Sequence, residues 1–92
     1  MKLKVEVTQE DIDNGVQQHS EKCPIACALK RLVKNPEVSE EIEFDQDETR
    51  FVADLPSDAS SFIHLFDEEG SIAVKPFSFE IEAEEKDYDP YD

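Results

Sequence analysis

His19, Cys23 and Cys27 are the residues of this chain best suited to metal chemistry, because they follow one another at four-residue spacing. Zinc takes four nitrogen or sulfur ligands, and His64 is a candidate for the fourth position. The Cys-x3-Cys spacing is atypical of zinc sites, however, and the fourth ligand would come from a distant segment. The favoured alternative places Cys27 as a small apolar residue beneath a helix and His19 in solvent. We therefore assign no metal ligand and expect no cofactor.

The sequence does not predict an active site. It contains no GxSxG, P-loop or HExxH motif, and neither histidine has a nucleophile at a recognisable spacing. Carboxylates are abundant, but raising the pKa of a carboxyl takes burial or a close like charge. Glu40 is the only acid on a face predicted to point inward, and it lies close to a strand end. We expect a protein that is not an enzyme.

Charge is the strongest compositional signal, because the 92 residues carry a formal net charge of −15. Residues 1–34 contain six Lys or Arg and five Asp or Glu, a net of +1, whereas residues 35–92 contain three and nineteen, a net of −16. A surface of this sign repels free nucleic acid and anionic membranes. It attracts basic protein surfaces, including those that normally hold nucleic acid. The alternative is that the charge serves only solubility.

Alternating acids concentrate this charge on two predicted strands. Glu41 and Glu43 on one strand, and Glu80 and Glu82 on another, recur at every second residue. Side chains so spaced lie about 6.5–7 Å apart, which is close to the phosphate repeat of a nucleic-acid strand. We predict an acidic partner-binding face, a nucleic-acid mimic, formed by Glu41, Glu43, Asp45, Asp47, Glu80 and Glu82. The alternative is an ordinary solvated sheet face whose charges discourage aggregation.

A basic helix interrupts the acidic chain. The segment CPIACALKRLVK, residues 23–34, has no acid and carries Lys30, Arg31 and Lys34 near its end. Cations there complement the carbonyl end of the helix dipole. They are expected either to pair with the protein's own acids or to contact an acidic partner or an RNA backbone, and they are our second predicted partner-binding set.

Hydrophobic periodicity predicts four strands and three helices. Residues 2–8 form a strand, and a short helix capped by Thr8, with Asp11 at its N3 position, ends at Gly15. The main helix begins at Pro24, capped by Cys23 or Ser20, and Asn35–Pro36 end it. The remaining elements are a hairpin of residues 37–44 and 49–55, a helix capped by Ser57 that ends at Gly70, and a last strand from Ile72 to Ala83.

The order β-α-α-β-β-α-β predicts an α+β domain with a mainly antiparallel four-stranded sheet and helices on one face. Pro76, where the inward parity of the last strand changes, predicts a bulge or kink and an edge position. We predict one domain, residues 1–83, followed by an acidic tail, residues 84–92.

The segments TQEDIDNG (8–15) and CPIACALKR (23–31) resemble a group of small proteins encoded by bacteriophages and prophages. Those proteins share a Thr-x-Glu-x-Ile-x-x-Gly-like segment and then Cys-Pro-Ile-Ala-x-Ala-Leu-Lys, and the resemblance covers the first third of the chain. It implies a phage origin. In size and charge the chain is also similar to inhibitors of host defence, including the anti-CRISPR proteins that act on type I surveillance complexes.

The expected function is therefore a phage-encoded, stoichiometric inhibitor of a host nucleic-acid-targeting defence complex. Its partner would be a host protein or ribonucleoprotein with a basic groove, without binding to free DNA or to membranes. The alternative is a phage adaptor that binds a host protein through the basic helix. No apolar run approaches the roughly 20 residues of a membrane span, and MKLKVEV lacks a signal-peptide core, so we expect the host cytoplasm. The two thiols should stay reduced there.

Overall fold

The computed structural model describes residues 1–86 and has an α+β architecture, as the sequence predicts. The elements are β1 Lys2–Val7, α1 Gln9–Asn14, α2 Pro24–Leu29, β2 Lys34–Val38, β3 Glu41–Gln46, β4 Thr49–Asp54, α3 Ser57–Glu69, a 3₁₀ turn Ser71–Ala73 and β5 Phe77–Glu85. The strands form a five-stranded antiparallel sheet in the order β1-β5-β4-β3-β2, accompanied by the three helices. Within residues 1–86, none of these helices has the length and apolarity needed to cross a membrane.

The prediction of four strands is wrong, because the segment after α2 forms an additional strand. Helix α2 ends at Leu29, where the backbone changes to the tighter bond from the Leu32 amide to the Leu29 carbonyl. Pro36, predicted to do no more than stop the helix, lies inside β2. An edge strand tolerates proline because its outward side needs no N–H donor.

The predicted strand 37–44 is in fact parts of two strands. Val38 ends β2, a short turn follows at Ser39 and Glu40, and Ile42 of β3 pairs back with Val38. Both side chains point inward as predicted, but they face each other across a hairpin instead of following one another along a strand. Glu40 lies exposed in that turn.

One hydrophobic core joins the helices to a single face of the sheet. The strands contribute alternate buried side chains, and those of the three helices pack into the same cluster. Helices α1, α2 and α3 therefore cover one face of the sheet, in agreement with the prediction. The largest fully buried side chains are those of Phe44, Ile12, Ile25, Leu29, Ile42, Val5 and Pro24.

Most of the predicted helix ends are confirmed. Thr8 and Asp11 form a reciprocal capping box, and the Cys23 side chain caps α2, whose first residue is Pro24. Gly15 ends α1 where the chain approaches Pro24 so closely that a Cβ atom would lie 2.6 Å from the Pro24 Cγ atom. The predicted Ser57 cap is wrong, because Ser57 is the first residue of α3 and no side chain caps that helix.

The last strand begins later than predicted. Ile72 lies in the 3₁₀ turn, 95% exposed, and β5 starts after Pro76 instead of bending there. Strand β5 lies between β1 and β4 in the sheet order, so the predicted edge position is wrong. Glu84 and Glu85, which the sequence assigned to the tail, are the last residues of β5. The tail residues 87–92 lie outside the described residues.

Candidate protein-binding face

The face of the sheet opposite the helices carries almost exclusively charged side chains. We call this surface the open face. Strand pairing brings its side chains into adjacent rows, since Glu41, Glu43 and Asp45 of β3 stand opposite Asp54, Val52 and Arg50 of β4. The side chains of this face on the five strands are Lys2, Lys4, Glu6, Glu37, Glu41, Glu43, Asp45, Arg50, Val52, Asp54, Ser78, Glu80, Glu82 and Glu84.

Arg50 neutralises the acids at one end of the open face. Its guanidinium lies 3.1 Å from an Asp45 carboxylate oxygen, 3.4 Å from Glu37 and 3.6 Å from Glu43. Lys86 adds a second cation, with its Nζ atom 2.8 Å from a Glu43 carboxylate oxygen. The acids of β2 and β3 at this end are therefore engaged inside the domain.

The pKa values of two of these acids report the same pairing. The hydrogen bond from Lys86, reinforced by Arg50, lowers the pKa of Glu43 below its ordinary value. The pKa of Asp45 is lowered first by a hydrogen bond from the Asn35 side chain and then by Arg50. Both carboxylates thus stay ionised further into acid than free ones, in contacts that an external partner would have to displace.

The centre of the open face has a different character. Glu41, Asp54, Glu82 and Glu84 line a shallow groove of about 350 Å³ together with Val52 and Ala53, and we call it the acidic groove. In the part of the chain that the structure describes, no Lys or Arg side chain forms a salt bridge with any of these four acids. Residues 87–92 contain neither Lys nor Arg. Among residues 1–86, the N-terminal amine lies 3.8 Å from a Glu82 carboxylate oxygen, and Lys2 stands opposite Glu82 in the β1–β5 ladder without forming a salt bridge to it.

The structure separates the six acids of the predicted face into different environments. Glu41 and Glu82 line the acidic groove, whereas Glu43 and Asp45 are paired with cations. Glu80 is exposed on β5 opposite Lys4, and Asp47 lies in the β3–β4 turn.

Asp54 is a residue of the open face that the predicted face does not include. The signal was present, because the predicted inward positions Phe51, Ala53 and Leu55 require Asp54 to point outward beside Glu41. What the sequence does not contain is the register that places the two carboxylates directly opposite each other.

The basic segment does not present its three cations together. Arg31 donates two hydrogen bonds to the Asp11 carboxylate, at 2.6 and 2.8 Å, and a third to the Glu6 carbonyl oxygen at 2.8 Å. Of the two alternatives predicted for the basic residues, Arg31 therefore follows the first: it pairs with an acid of the protein itself. Lys30 is exposed beside Glu21, Lys22 and Glu37, and Lys34 begins β2 opposite Asp45.

The two histidines lie around one cavity of about 380 Å³ between the α1–α2 loop, the β2–β3 turn and α3. His19 and His64 line it together with buried Cys23, and its apolar side chains are Val38, Leu55 and Ile63. Within residues 1–86, no three His, Cys, Asp or Glu side chains are placed to hold a metal ion. Cys27 is half-buried and points its thiol at the Lys22 carbonyl oxygen. Burial raises the pKa of both thiols, so both are protonated near neutral pH.

No protein-family model, curated protein or solved structure matches this chain. What the open face can do follows from its own chemistry. An array of exposed carboxylates on a rigid sheet attracts cationic surfaces over about a Debye length, 8–10 Å near physiological salt.

Proposed function

We propose that this protein binds, in a fixed stoichiometry and without catalysis, to a basic nucleic-acid-binding groove of another protein and excludes the nucleic acid from it. The observation that carries the proposal is the acidic groove. Its four carboxylates have no Lys or Arg salt-bridge partner among residues 1–86, while the neighbouring acids Glu37, Glu43 and Asp45 are neutralised by Arg50.

The repulsion between neighbouring carboxylates in the acidic groove supports a role in binding. Glu41 and Asp54 stand directly opposite each other in the β3–β4 ladder, and like charges in that position destabilise a sheet. Among residues 1–86, neither carboxylate forms a salt bridge, so replacing either of them with a neutral polar residue should remove this repulsion. A cationic partner would offset this repulsion, and complementary charge also speeds association.

The class of target comes from the similarity in size and charge, and the phage origin from the resemblance of the segments TQEDIDNG and CPIACALKR. Phage-encoded inhibitors of type I CRISPR surveillance complexes are the proteins that the chain resembles in size and charge. We therefore propose a phage protein that acts in the host cytoplasm on such a nucleic-acid-guided defence complex. The adaptor alternative would use the basic segment, but Arg31 is already held by Asp11 and Glu6, so the open face is the proposed surface.

The test is a competition experiment. A purified type I surveillance complex is incubated with its target DNA and increasing amounts of this protein, and DNA binding is followed by gel shift at low and high salt. Inhibition at near-equimolar protein that weakens as salt rises is the expected result. Inhibition that is absent at every salt concentration would remove this class of target.

A charge-reversed pair of variants locates the surface. Glu41→Lys with Glu82→Lys should abolish inhibition, because both residues line the acidic groove. Glu68→Lys with Glu69→Lys makes the same change in net charge on exposed residues of α3, away from the open face, and should leave inhibition unchanged. Equal losses in both pairs would mean that net charge, and not this face, determines binding.

A further inference from the structure

Strand β5 has neighbours of unequal length on its two sides. It pairs with β1 from Phe77 to Glu82, but with β4 only from Ala83 to Glu85. Helix α3 packs onto the core face of the sheet through Phe62, whose ring centroid lies 4.7 Å from that of Phe77, while Ser78 and Glu80 of β5 stay exposed. Among the described residues, the first part of β5 therefore pairs with a strand on one side only.

Two sets of hydrogen bonds determine which residues of β5 direct their backbone groups away from β1, toward the unpaired flank of the strand. Met1 and Ala83 exchange both backbone bonds, at 2.7 and 2.6 Å, so odd-numbered residues of β5 point their N–H and C=O groups toward β1. The Lys86 amide donates to the Arg50 carbonyl of β4, so even-numbered residues point the other way. Ser78 and Glu80 consequently direct their backbone groups to the side where β4 has already ended, and both residues are exposed.

The side chains along this flank differ between the two faces of the sheet. On the open face stand Glu80 and Glu82, next to the acidic groove. On the core face, Phe77 and Phe79 stack with ring centroids 5.3 Å apart and stay only half-buried. A strand laid here would meet carboxylates with one set of alternate residues and aromatic rings with the other.

Strand β1 shows which sequence β5 accepts on its other side. Lys4 and Lys2 stand opposite Glu80 and Glu82, while Val5 stands opposite Phe79. The alternation of lysine with apolar residues in KLKV satisfies both faces of β5 at once. A second strand of the same pattern would be equally complementary to the unpaired flank of β5.

We infer that the flank of β5 at Ser78 and Glu80 receives an extended segment of the partner protein in which Lys or Arg alternates with apolar residues. The segment adds to the sheet as a strand, hydrogen-bonding to the backbone of Ser78 and Glu80, as unpaired strand edges allow. The inference rests on the proposed function for the basic character of the partner, and adds the manner in which it binds.

Hydrogen exchange tests the strand addition on the intact protein. The probe is a capped KLKVKV peptide, added at low salt while amide exchange is followed by NMR. At ten times its Kd the peptide leaves about one-tenth of the protein free, so exchange at the Ser78 and Glu80 amides should slow about tenfold. The amides of Phe79 and Ile81, already bonded to β1, should change far less.

A proline pair separates this flank from the opposite edge of the sheet. Glu80→Pro deletes an N–H that points to the unpaired flank of β5, and should weaken peptide binding about tenfold relative to Glu80→Gln. Lys4→Pro deletes the equivalent outward N–H of β1 and should bind the peptide as well as Lys4→Gln, which removes the same charge. If Glu80→Pro fails to fold by circular dichroism, a peptide N-methylated at alternate residues, which keeps its charge but cannot pair, should fail to bind the unaltered protein.

The outcomes distinguish this inference from the function on which it rests. Salt-sensitive peptide binding with unchanged exchange at Ser78 and Glu80, or tolerance of N-methylation, would overturn strand addition and leave the acidic face intact as a binding surface. Absence of peptide binding would overturn the inference, whereas the competition experiment decides the proposed function independently. Protection of Ser78 and Glu80 that rises with protein concentration alone would assign the flank to a second copy of this chain, and would also overturn it.

Discussion

Asp11 is the one buried charged side chain among residues 1–86, with 4% of its surface exposed. Its carboxylate accepts hydrogen bonds from the Thr8 amide and from two nitrogens of Arg31. Burial by itself raises the pKa of Asp11, but the bonds from Arg31 and Thr8 outweigh it, so the pKa lies below the ordinary value. One side chain thereby starts α1 and ties the segment after α2 to it.

Replacing Asp11 with Asn should destabilise the protein by about 2–3 kcal/mol at pH 7, because a charge-assisted bidentate bond and half of a capping box are lost. A lowered pKa in the folded state stabilises the protein above the ordinary value of 3.8, and this contribution disappears as the pH falls through the lower, folded-state pKa. The difference between Asp11→Asn and the unaltered protein should therefore shrink in acid. Urea denaturation at pH 7 and at pH 2–3 measures it.

Asp13→Asn is the matched control, because Asp13 is exposed on the same helix and accepts only a Gln9 side-chain bond. It should change the free energy of unfolding by less than about 0.5 kcal/mol. A similar loss in both variants, or a difference that persists in acid, would contradict the role given to the Arg31 pair.

At the scale of elements, the β3–β4 turn carries visible backbone strain. Asp47 and Glu48 both have positive φ, 51° and 66°, between the paired residues Gln46 and Thr49. A two-residue hairpin turn with positive φ at both positions favours Asn-Gly or Asp-Gly. Glutamate at the second position costs about 1–2 kcal/mol, because its Cβ crowds the backbone in this region.

Glu48→Gly should therefore stabilise the protein by roughly 0.5–1 kcal/mol, after the greater freedom of glycine in the unfolded chain is subtracted. The measurement is the free energy of unfolding in urea. Glu48→Gln removes the same charge without relieving the backbone, so it should gain much less. Equal gains from the two substitutions would attribute the effect to charge.

The elements that sequence predicts best are those in which local pattern and tertiary environment agree. The capping box at Thr8 and the alternation of Phe51 and Ala53 are local signals, and the structure contains both. Strand β2 was missed because Asn35 and Pro36 are breakers in local terms. Only the register with β3 makes them an edge strand, and no glycine marks the turn at Ser39 and Glu40.

The candidate site was predictable to the same extent. Alternation shows that Glu41 and Glu82 point outward, but not that they share a groove, because β3 and β5 are separated in the sheet by β4. The pairing of Arg50 with Glu37, and of Lys86 with Glu43, depends on the alignment of strands distant in sequence. The sequence therefore predicts which acids point outward, whereas the tertiary structure determines which of them form salt bridges with Arg50 and Lys86.

For the molecule as a whole, the distribution of charge matters more than its sum. The cations of the open face lie at its two ends. At one end Arg50 and Lys86 form salt bridges with Asp45 and Glu43, and at the other Lys2 and Lys4 lie on β1. The acidic groove between them is left to repel itself. In a chain of net charge −15, this repulsion opposes folding and weakens as salt is added.

Neutralising the groove should consequently have opposite effects on stability and on binding. The variant with Glu41→Gln, Asp54→Asn, Glu82→Gln and Glu84→Gln should have a higher urea midpoint than the unaltered protein at low ionic strength, and the gain should fade at high salt. The concentration of this variant needed to inhibit the surveillance complex should be higher than that of the unaltered protein by about tenfold or more. Proteins commonly retain destabilising groups where function requires them.

The contrasting variant is Glu43→Gln with Asp45→Asn, which removes acids already paired with Lys86 and Arg50. It should lower the urea midpoint, because Arg50 and Lys86 lose their closest partners, while inhibition changes little. A groove variant that is less stable than the unaltered protein would mean that its carboxylates have stabilising partners. A groove variant that is more stable and inhibits fully would reduce the acidic groove to a solubilising surface.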